Sequence, residues 1–172
     1  MGWMRRALQA FCLTPRRASV VILGLDNSGK STLVNCLRWP SNDSKVRKPK
    51  AHKYESSTDP SSIAPTVGFK VSTLDLHSLE LSVLDMSGQQ RYRKLWECYY
   101  QDVQGAVFVV DAADPTRLDE ARDALSTVIS DPDLKQVPLL ILANKMDLGH
   151  ALDMPEVTTK HTINMYAKPA SL

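Results

Sequence analysis

Residues 24–31 have the types and the spacing that bind a phosphate group. They read Gly-Leu-Asp-Asn-Ser-Gly-Lys-Ser and meet every fixed position of the phosphate-loop pattern G-x-x-x-x-G-K-[ST]. The glycines let backbone N–H groups face an anion, the lysine can reach the terminal phosphates, and the last serine can ligate Mg²⁺. We therefore predict a nucleotide-phosphate site made by Gly24, Leu25, Asp26, Asn27, Ser28, Gly29, Lys30, Ser31 and Thr32.

The segments on both sides of this loop fit the same interpretation. Residues 20–23 are a short apolar run that is typical of a buried strand, and residues 32–37 are typical of a helix. A helix that begins at the loop adds its positive N-terminal end to the phosphate site. The alternative is a chance glycine turn between a strand and a helix, and the match at every fixed position and on both flanks argues against it.

A second group of polar residues, Asp85-Met86-Ser87-Gly88-Gln89, follows a later apolar segment. Ligands of open α/β sheets bind beyond the carboxyl ends of the strands, so this group should meet the phosphate loop. Asp85 would contact Mg²⁺ through a water, Gly88 leaves room for a backbone N–H to approach a γ-phosphate, and Gln89 could orient the attacking water. Taken alone, Asp85 would be an ordinary acid at the end of a strand.

A third group, Asn144-Lys145-Met146-Asp147, follows another buried segment. The Asp147 carboxylate can accept two hydrogen bonds from guanine, one from N1–H and one from the exocyclic amine. Adenine lacks the N1–H and would leave polar groups unpaired. Lys145 can lie along the base and brace the loop. Three such groups at three strand ends, in this order, predict GTP or GDP bound with Mg²⁺.

Thr66 lies in Pro65-Thr66-Val67-Gly68-Phe69, ahead of the two strands that lead to Asp85. It is placed to give a second hydroxyl to Mg²⁺, beside that of Ser31, when a γ-phosphate is present. We therefore predict that Ser31, Thr66 and Asp85 form the metal site, the last through a water. Thr66 would then be a switch residue that GTP orders and GDP releases.

The hydrophobic pattern predicts the strands that carry these groups. Residues 69–74 and 79–83 alternate between apolar and polar and predict an antiparallel hairpin. Residues 106–110 and 138–142 are nearly continuous apolar runs, which are typical of strands buried on both faces of a mostly parallel sheet.

Helical segments are predicted near 92–101 and 116–130, between the strands. Thr116 is the predicted cap of the second helix and Asp119 a residue of its first turn. The alternation of strands and helices predicts a doubly wound α/β fold, with a mostly parallel sheet and one antiparallel hairpin strand.

The length of 172 residues suits one globular domain, and we expect a monomer. The three cysteines are far apart and form no C-x-x-C, which favours a reduced, cytosolic protein. The four histidines lack metal-ligand spacing, and no apolar run is long enough to span a membrane.

The net charge of +2 is unevenly distributed. Basic residues are concentrated in two stretches. The first is at the N-terminus, with Arg5, Arg6, Arg16 and Arg17, and the second spans residues 45–53, with Lys45, Arg47, Lys48, Lys50 and Lys53. This favours contact with an anionic surface over a shaped nucleic-acid groove, so no nucleic-acid partner is expected. A basic protein that binds nucleic acid is an alternative supported by this charge alone.

The ends of the chain and one internal stretch differ in character from the core. Residues 1–14 would place apolar side chains on one face of a helix, which either lies in a membrane surface or packs on the protein. We divide the chain into an N-terminal amphipathic helix, residues 1–17, and a nucleotide-binding domain, residues 18–172. Residues 39–63 within that domain, rich in Ser, Lys, Asp and Pro, predict a flexible basic insertion.

The motifs together resemble the Arf and Arf-like small GTPases, from about Ser19 to Leu148. Ser87, where most relatives have glycine, and residues 91–100 are similar to the Arf-like branch associated with Bardet–Biedl syndrome. The resemblance implies a P-loop small GTPase fold and hydrolysis of GTP to GDP, with Gln89 as the catalytic residue. Hydrolysis would be slow without an activating protein.

Proteins of this branch recruit a ciliary coat, the BBSome, to membranes in the GTP form. The resemblance therefore implies a membrane surface bound by the N-terminal helix, a BBSome-like effector coat, an exchange factor and a GTPase-activating protein. It implies a cytoplasmic protein peripherally associated with membranes, at the cilium or basal body. Tyr92, Trp96 and Tyr99 are candidates for the effector face, and aromatic packing beneath the switch is the alternative for them.

The C-terminal stretch, residues 149–172, departs from the family, whose members carry a further helix, a last strand with a base-binding motif and a final helix. We expect that last strand and helix to be missing, which would weaken stability and nucleotide affinity. A nucleotide-binding module that no longer cycles is therefore the alternative to a hydrolysing switch.

Overall fold

The computed structural model describes residues 16–38, 65–76 and 79–152. The predicted amphipathic segment 1–14, the insertion 39–63 and all but the first residues of the stretch 149–172 lie outside the described residues. The predicted boundary at residue 17 falls within a strand, because Arg16 and Arg17 begin the first strand of the sheet.

A sheet of five strands with two α-helices forms the part of the chain that the structure describes. In chain order the elements are β1 (Arg16–Leu23), α1 (Lys30–Arg38), β2 (Phe69–Leu76), β3 (Leu79–Met86), β4 (Gly105–Asp111), α2 (Leu118–Ser130) and β5 (Leu139–Asn144). The strand order is β2-β3-β1-β4-β5. β1 runs parallel to β3 and β4, β4 runs parallel to β5, and β2 is antiparallel to β3. This confirms the predicted α/β sheet with one antiparallel hairpin strand.

Side chains alternate between two apolar layers, one on each face of the sheet. In β1, Val21 and Leu23 belong to one layer and Ile22 to the other. Helix α1 contributes Val34 to the layer that contains Ile22. Helix α2 covers the opposite layer with Leu118, Ala121, Leu125 and Val128. Helices thus lie on both faces, as the doubly wound prediction requires.

The two apolar runs predicted as fully buried strands differ in burial. In β4, Phe108, Val109 and Val110 are at most 1% exposed, which confirms the prediction. In β5 the prediction is wrong, since Leu140 is 54% exposed and its neighbours are half-buried. Position explains the difference, because β4 has a strand on each side and β5, within the described residues, pairs with β4 alone.

The predicted helical segments exist, with different details. Two short 3₁₀ helices, Gln90–Leu95 and Glu97–Asp102, occupy the stretch near 92–101. Thr116 does not cap α2, because it lies in a preceding 3₁₀ turn and its hydroxyl donates to Asp114 Oδ1. Asp119 is in the first turn of α2 as predicted. None of the helices in the described ranges is long and apolar enough to cross a membrane.

Candidate functional site

The loop after β1 is shaped by residues with positive φ. Gly24, Asn27 and Gly29 have φ of 131°, 62° and 91°. A Cβ at Gly24 would collide with the carbonyl oxygen of Val109, and a Cβ at Gly29 would collide with the side-chain amide of Asn144. Both fixed glycines of the pattern are therefore required by the strands that the loop touches, β4 and β5.

Lys30 lies inside the loop that it closes. Its side chain is almost fully buried, and Nζ donates to the carbonyl oxygens of Gly24 at 2.9 Å and Leu25 at 2.6 Å. Burial lowers the pKa of Lys30 to about 8, and the nearby charge of Asp85 opposes that shift. Carbonyl dipoles thus hold the ammonium at the centre of the loop, where a phosphate would supply full negative charge.

Three side-chain oxygens from three segments converge next to this lysine. Ser31 Oγ donates to Asp85 Oδ2 at 2.5 Å and lies 3.1 Å from Thr66 Oγ1. Mg²⁺ prefers oxygen ligands and is usually held by one or two protein groups together with waters and substrate phosphates. This sparse oxygen set fits magnesium, and the described ranges hold no cluster of three or more His, Cys, Asp or Glu residues able to hold a metal ion.

The hairpin brings Thr66 to this place. Phe69 at the start of β2 pairs with Met86 at the end of β3. The ladder continues one step further, since the Ser87 N–H donates to the Gly68 carbonyl at 2.9 Å. Residues before β2 and after β3 therefore meet at one edge of the sheet, which explains how Thr66 reaches Ser31.

Gly88 packs directly on the phosphate loop. A Cβ at this position would collide with backbone atoms of Gly24, Leu25 and Asp26. The Gly88 carbonyl accepts a hydrogen bond from Arg93 Nε at 2.9 Å. The segment after β3 therefore touches the loop after β1 through backbone atoms, with no room for a larger residue.

The side chain of Gln89 is held by a neighbour. Its Oε1 accepts a hydrogen bond from Arg91 Nε at 3.1 Å, and the Arg91 guanidinium lies 4.8 Å from the centre of the Tyr92 ring. The amide oxygen that would contact a water is thus engaged by Arg91.

A cavity of about 280 Å³ connects these groups. Its walls are the loop after β1, the start of α1 with Thr32, residues 65–66 and residues 86–89. No arginine of the described ranges lines it. The cavity thus joins Lys30, Ser31, Thr66 and Gln89, and Asp85 lies behind its wall in contact with Ser31.

The predicted base-binding residues begin with the last residue of β5, Asn144, on another side of the loop. Asn144 Nδ2 donates to the Ser28 carbonyl at 2.8 Å. Lys145 has a φ of 64°, and its Nζ lies 2.7 Å from Asp111 Oδ2. Asp147 lies exposed in the turn that follows. Asn144 is thus joined to the loop, whereas Asp147 stays at the surface near the same edge of the sheet.

Ion pairs that the sequence analysis missed surround the loop and Gly88. Arg117 donates to Asp26 Oδ1 at 2.7 Å and to Glu120 Oε2 at 3.1 Å. Arg93 donates to Glu120 Oε1 at 2.6 Å. The spacing of Arg117 and Glu120 at the start of a helix is a signal for their pair. The other two contacts join residues 91 and 27 positions apart, which no local pattern reveals.

These ion pairs change the pKa values of two acids. Burial raises the pKa of Asp26, but the hydrogen bond and charge of Arg117 outweigh it, so the pKa is lowered. The hydrogen bond from Arg93, followed by the one from Arg117, lowers the pKa of Glu120 against its partial burial. Both carboxylates are therefore held in the ionised form.

Two of the three aromatic residues predicted for the effector face pack within the protein. Trp96 is 3% exposed, its Nε1 donates to the Ser87 carbonyl at 2.9 Å, and its ring meets that of Phe108 edge-on at 6.4 Å. Tyr99 is half-buried, with its ring centre 4.8 Å from that of Phe69. The effector prediction is wrong for Trp96, because its ring is buried in the core and its indole N–H is already bonded to the Ser87 carbonyl.

Comparison with known proteins places this geometry in a family. Residues 4–168 match the ADP-ribosylation factor family. ADP-ribosylation factor-like protein 6 of Danio rerio is 41% identical over 148 residues, which are 85% of this chain and 71% of the relative. The protein of the same name from Caenorhabditis elegans is 33% identical over 168 residues, which are 96% of this chain and 80% of the relative.

A solved structure agrees with the sequence match. The Arl6 BBS3 small GTPase from Trypanosoma brucei, with the bound nucleotide analogue GppNp, has a TM-score of 0.68 and 30% identity to this chain. The likeness covers 85% of this chain and 77% of the other. Since the family match includes nearly the whole chain, and the likeness in fold is to a small GTPase, the chain belongs to the ADP-ribosylation factor family of small GTPases, which bind GTP and GDP and hydrolyse GTP.

Proposed function

We propose that this chain is a Mg²⁺-dependent GTP/GDP switch whose GTP form recruits a coat complex to membranes. The observation that carries the proposal is the convergence of Ser31, Thr66 and Asp85 beside the buried Lys30. A switch needs a group whose contact depends on the third phosphate. Thr66 suits this role, because it comes from a segment outside the loop that holds the other phosphates.

The parts of the nucleotide are divided among the strand ends. The phosphates lie in the loop from Gly24 to Thr32, with Lys30 and backbone N–H groups as donors. The backbone N–H of Gly88 contacts the γ-phosphate. Asn144 and Lys145 brace the loop and the base, and Asp147 accepts the two guanine hydrogen bonds.

Ser31 and Thr66 hold Mg²⁺ directly, and Asp85 holds it through a water. The hydrogen bond that Ser31 donates to Asp85 supports this assignment, because it uses the single hydroxyl hydrogen and turns the Ser31 oxygen, with its lone pairs, toward Thr66 and the cavity. Bound Mg²⁺ supplies positive charge that neutralises the phosphate oxygens. Ser31, Thr66 and Asp85 would hold the cation beside Lys30, where it would share the phosphate oxygens with that lysine.

Gln89 is the catalytic residue and orients the attacking water. Unaided hydrolysis is slow, on the order of 10⁻⁴ to 10⁻² per second. Two observations support a slow rate, namely the bond between Gln89 Oε1 and Arg91 and a cavity wall that, in the described ranges, contains no arginine. A GTPase-activating protein accelerates the off-step, and an exchange factor accelerates the on-step.

We infer the cellular role of this chain from the relatives that it resembles. Segment 1–14 contacts the membrane surface, and a BBSome-like coat is the effector, at the cilium or basal body. Relatives named ADP-ribosylation factor-like protein 6 and Arl6 BBS3 support this assignment. The protein acts as a peripherally membrane-associated monomer in protein transport, and nucleic acid is not a partner.

A titration with a fluorescent guanine nucleotide tests the nucleotide site. We expect Mg²⁺-dependent binding that GTP competes and ATP does not, and we expect Asp147→Asn to weaken it because the base loses a charged acceptor. Absence of Mg²⁺-dependent guanine-nucleotide binding would overturn the proposal and favour the alternative of a basic protein that binds nucleic acid. Equal competition by ATP and GTP would remove the role of Asp147.

Single-turnover hydrolysis separates a cycling switch from a module that binds nucleotide without cycling. We expect wild type to convert its bound GTP to GDP and Gln89→Leu to do so at least about tenfold more slowly, since the variant cannot orient the water. If both proteins bind GTP and are equally inert, the non-cycling module is the correct assignment.

A further inference from the structure

Glu120, in the first turn of α2, contacts two arginines that reach different walls of the cavity. Its Oε1 accepts Arg93 Nη2 at 2.6 Å, and its Oε2 accepts Arg117 Nε at 3.1 Å. Arg93 Nε also donates to the Gly88 carbonyl, and Arg117 Nη2 also donates to Asp26 Oδ1. Each planar guanidinium therefore joins Glu120 to one side of the phosphate site.

The two ends of this series of contacts meet each other. Gly88 lies so close to the backbone nitrogen of Asp26 that a Cβ would not fit between them. The contacts thus form a closed ring through Asp26, Arg117, Glu120, Arg93 and Gly88. The Arg93 side chain is 18% exposed and that of Glu120 is 41% exposed, so solvent screens this pair only in part.

We infer that Glu120 is a positioning residue for the γ-phosphate, which keeps Arg93 on the Gly88 carbonyl and so holds the Gly88 backbone against the phosphate loop. This inference rests on the proposed function, since it concerns the same site. Gly88 contacts the third phosphate, which a diphosphate lacks. Loss of Glu120 should therefore weaken the binding of a triphosphate more than that of a diphosphate.

The second arginine explains why diphosphate binding should survive. Without Glu120, Arg117 keeps its bond to Asp26 Oδ1 and a further bond, at 3.2 Å, to the Asp26 carbonyl. The loop retains its support from Arg117, which directly precedes α2, whereas Arg93 loses the carboxylate that orients its guanidinium. The ratio of the triphosphate affinity to the diphosphate affinity therefore measures the effect of the contact between Arg93 and Gly88.

The alternative role for Glu120 is electrostatic support of the N-terminal end of α2. Asp119 provides a matched control, because it lies in the same first turn and pairs with Arg122 at 3.0 Å, away from the phosphate site. Asp119→Asn and Glu120→Gln remove the same charge from the same helix end, and the second removes the carboxylate that joins Arg93 to Arg117.

The experiment measures dissociation constants for GDP and for GppNp, both with Mg²⁺, in the wild-type chain and the two variants. We expect the ratio of the GppNp constant to the GDP constant to rise about three- to tenfold in Glu120→Gln and to stay unchanged in Asp119→Asn. Arg93→Lys keeps the charge and loses the planar fork, so it should raise the ratio similarly. The double variant Glu120→Gln/Arg93→Lys should have nearly the same ratio as either single variant, because both substitutions act through the contact between Arg93 and the Gly88 carbonyl.

An unchanged ratio in Glu120→Gln, or an equal rise in Asp119→Asn, would overturn the inference while the wild-type chain still binds nucleotide. A wild-type chain that binds neither nucleotide would overturn the proposed function and this inference with it. If Glu120→Gln does not fold, Arg93→Lys decides, and an unchanged ratio in that variant would also overturn the inference.

Discussion

Arg117 stabilises the ionised forms of two acids on different segments, Asp26 in the phosphate loop and Glu120 in α2. An acid whose pKa is lower in the folded state than in the unfolded state stabilises the fold only while it is ionised. On acidification the unfolded chain takes up these protons first, so this stabilisation is lost as the pH falls. The same residues that position the loop therefore make its stability depend on pH.

We predict that Arg117→Gln lowers the free energy of unfolding at pH 7, by less than about 1 kcal/mol because both carboxylates are more than a third exposed and solvent screens them. The difference from wild type should shrink as the pH falls below the ordinary pKa values of 4.5 for Glu120 and 3.8 for Asp26. Urea unfolding of the nucleotide-free proteins between pH 7 and pH 3 measures this. A difference that does not vary with pH would show that Arg117 acts by packing instead.

Ser87 carries a buried hydroxyl that has no hydrogen-bond partner among the described residues. Ser87→Ala removes that group and keeps the shape of the side chain. We expect the free energy of unfolding to stay the same or to rise by about 1 kcal/mol, because an unpaired buried polar group is costly. A loss of more than about 1 kcal/mol in thermal or urea unfolding would mean that the hydroxyl has a partner in solution.

Trp96 and Tyr100, each 3% exposed, anchor the segment after β3 in the core. The Trp96 ring packs on Phe108 of β4, and its indole N–H donates to the Ser87 carbonyl. Tyr92, in the same segment, is half-buried and stacks with Arg91 at the surface. Trp96 therefore anchors this segment, whereas Tyr92 remains accessible to a partner.

We predict that Trp96→Ala lowers the free energy of unfolding by about 3–5 kcal/mol, since it removes a buried ring and leaves the Ser87 carbonyl unpaired. Tyr92→Ala, the matched change at the accessible position, should lower it by less than about 1 kcal/mol. Urea unfolding of both variants measures this. Similar losses in the two would show that Tyr92 is also part of the core.

How far the sequence could predict these elements depended on the range of the interactions. The phosphate loop and the strands of the hairpin were predicted because their signals lie in consecutive residues. The exposure of Leu140 was not predicted, because it depends on which strands flank β5. The contacts of Arg93 and Glu120 depend on the packing of α2 against the segment after β3, which residue order does not disclose.

At the scale of the whole molecule, the sheet assembles one site from distant parts of the chain. β1 and β3 run parallel, so the residues that follow each strand meet at the same edge, and the hairpin returns Thr66 to that edge. The side chains of Thr66 and Asp85 therefore both contact Ser31, although the three residues are spread over more than 50 residues of sequence. This arrangement lets a third phosphate order two segments at once.

Amide hydrogen exchange of the GDP-bound and GppNp-bound chains, both with Mg²⁺, tests this switch most directly. We predict that the amides of residues 66–68 and 87–89 exchange more slowly with GppNp, because Thr66 and Gly88 gain contacts to the third phosphate. β4, whose backbone is already paired on both sides, should exchange equally in the two forms. Equal exchange of both switch segments, with each nucleotide demonstrably bound, would contradict a switch that depends on the γ-phosphate.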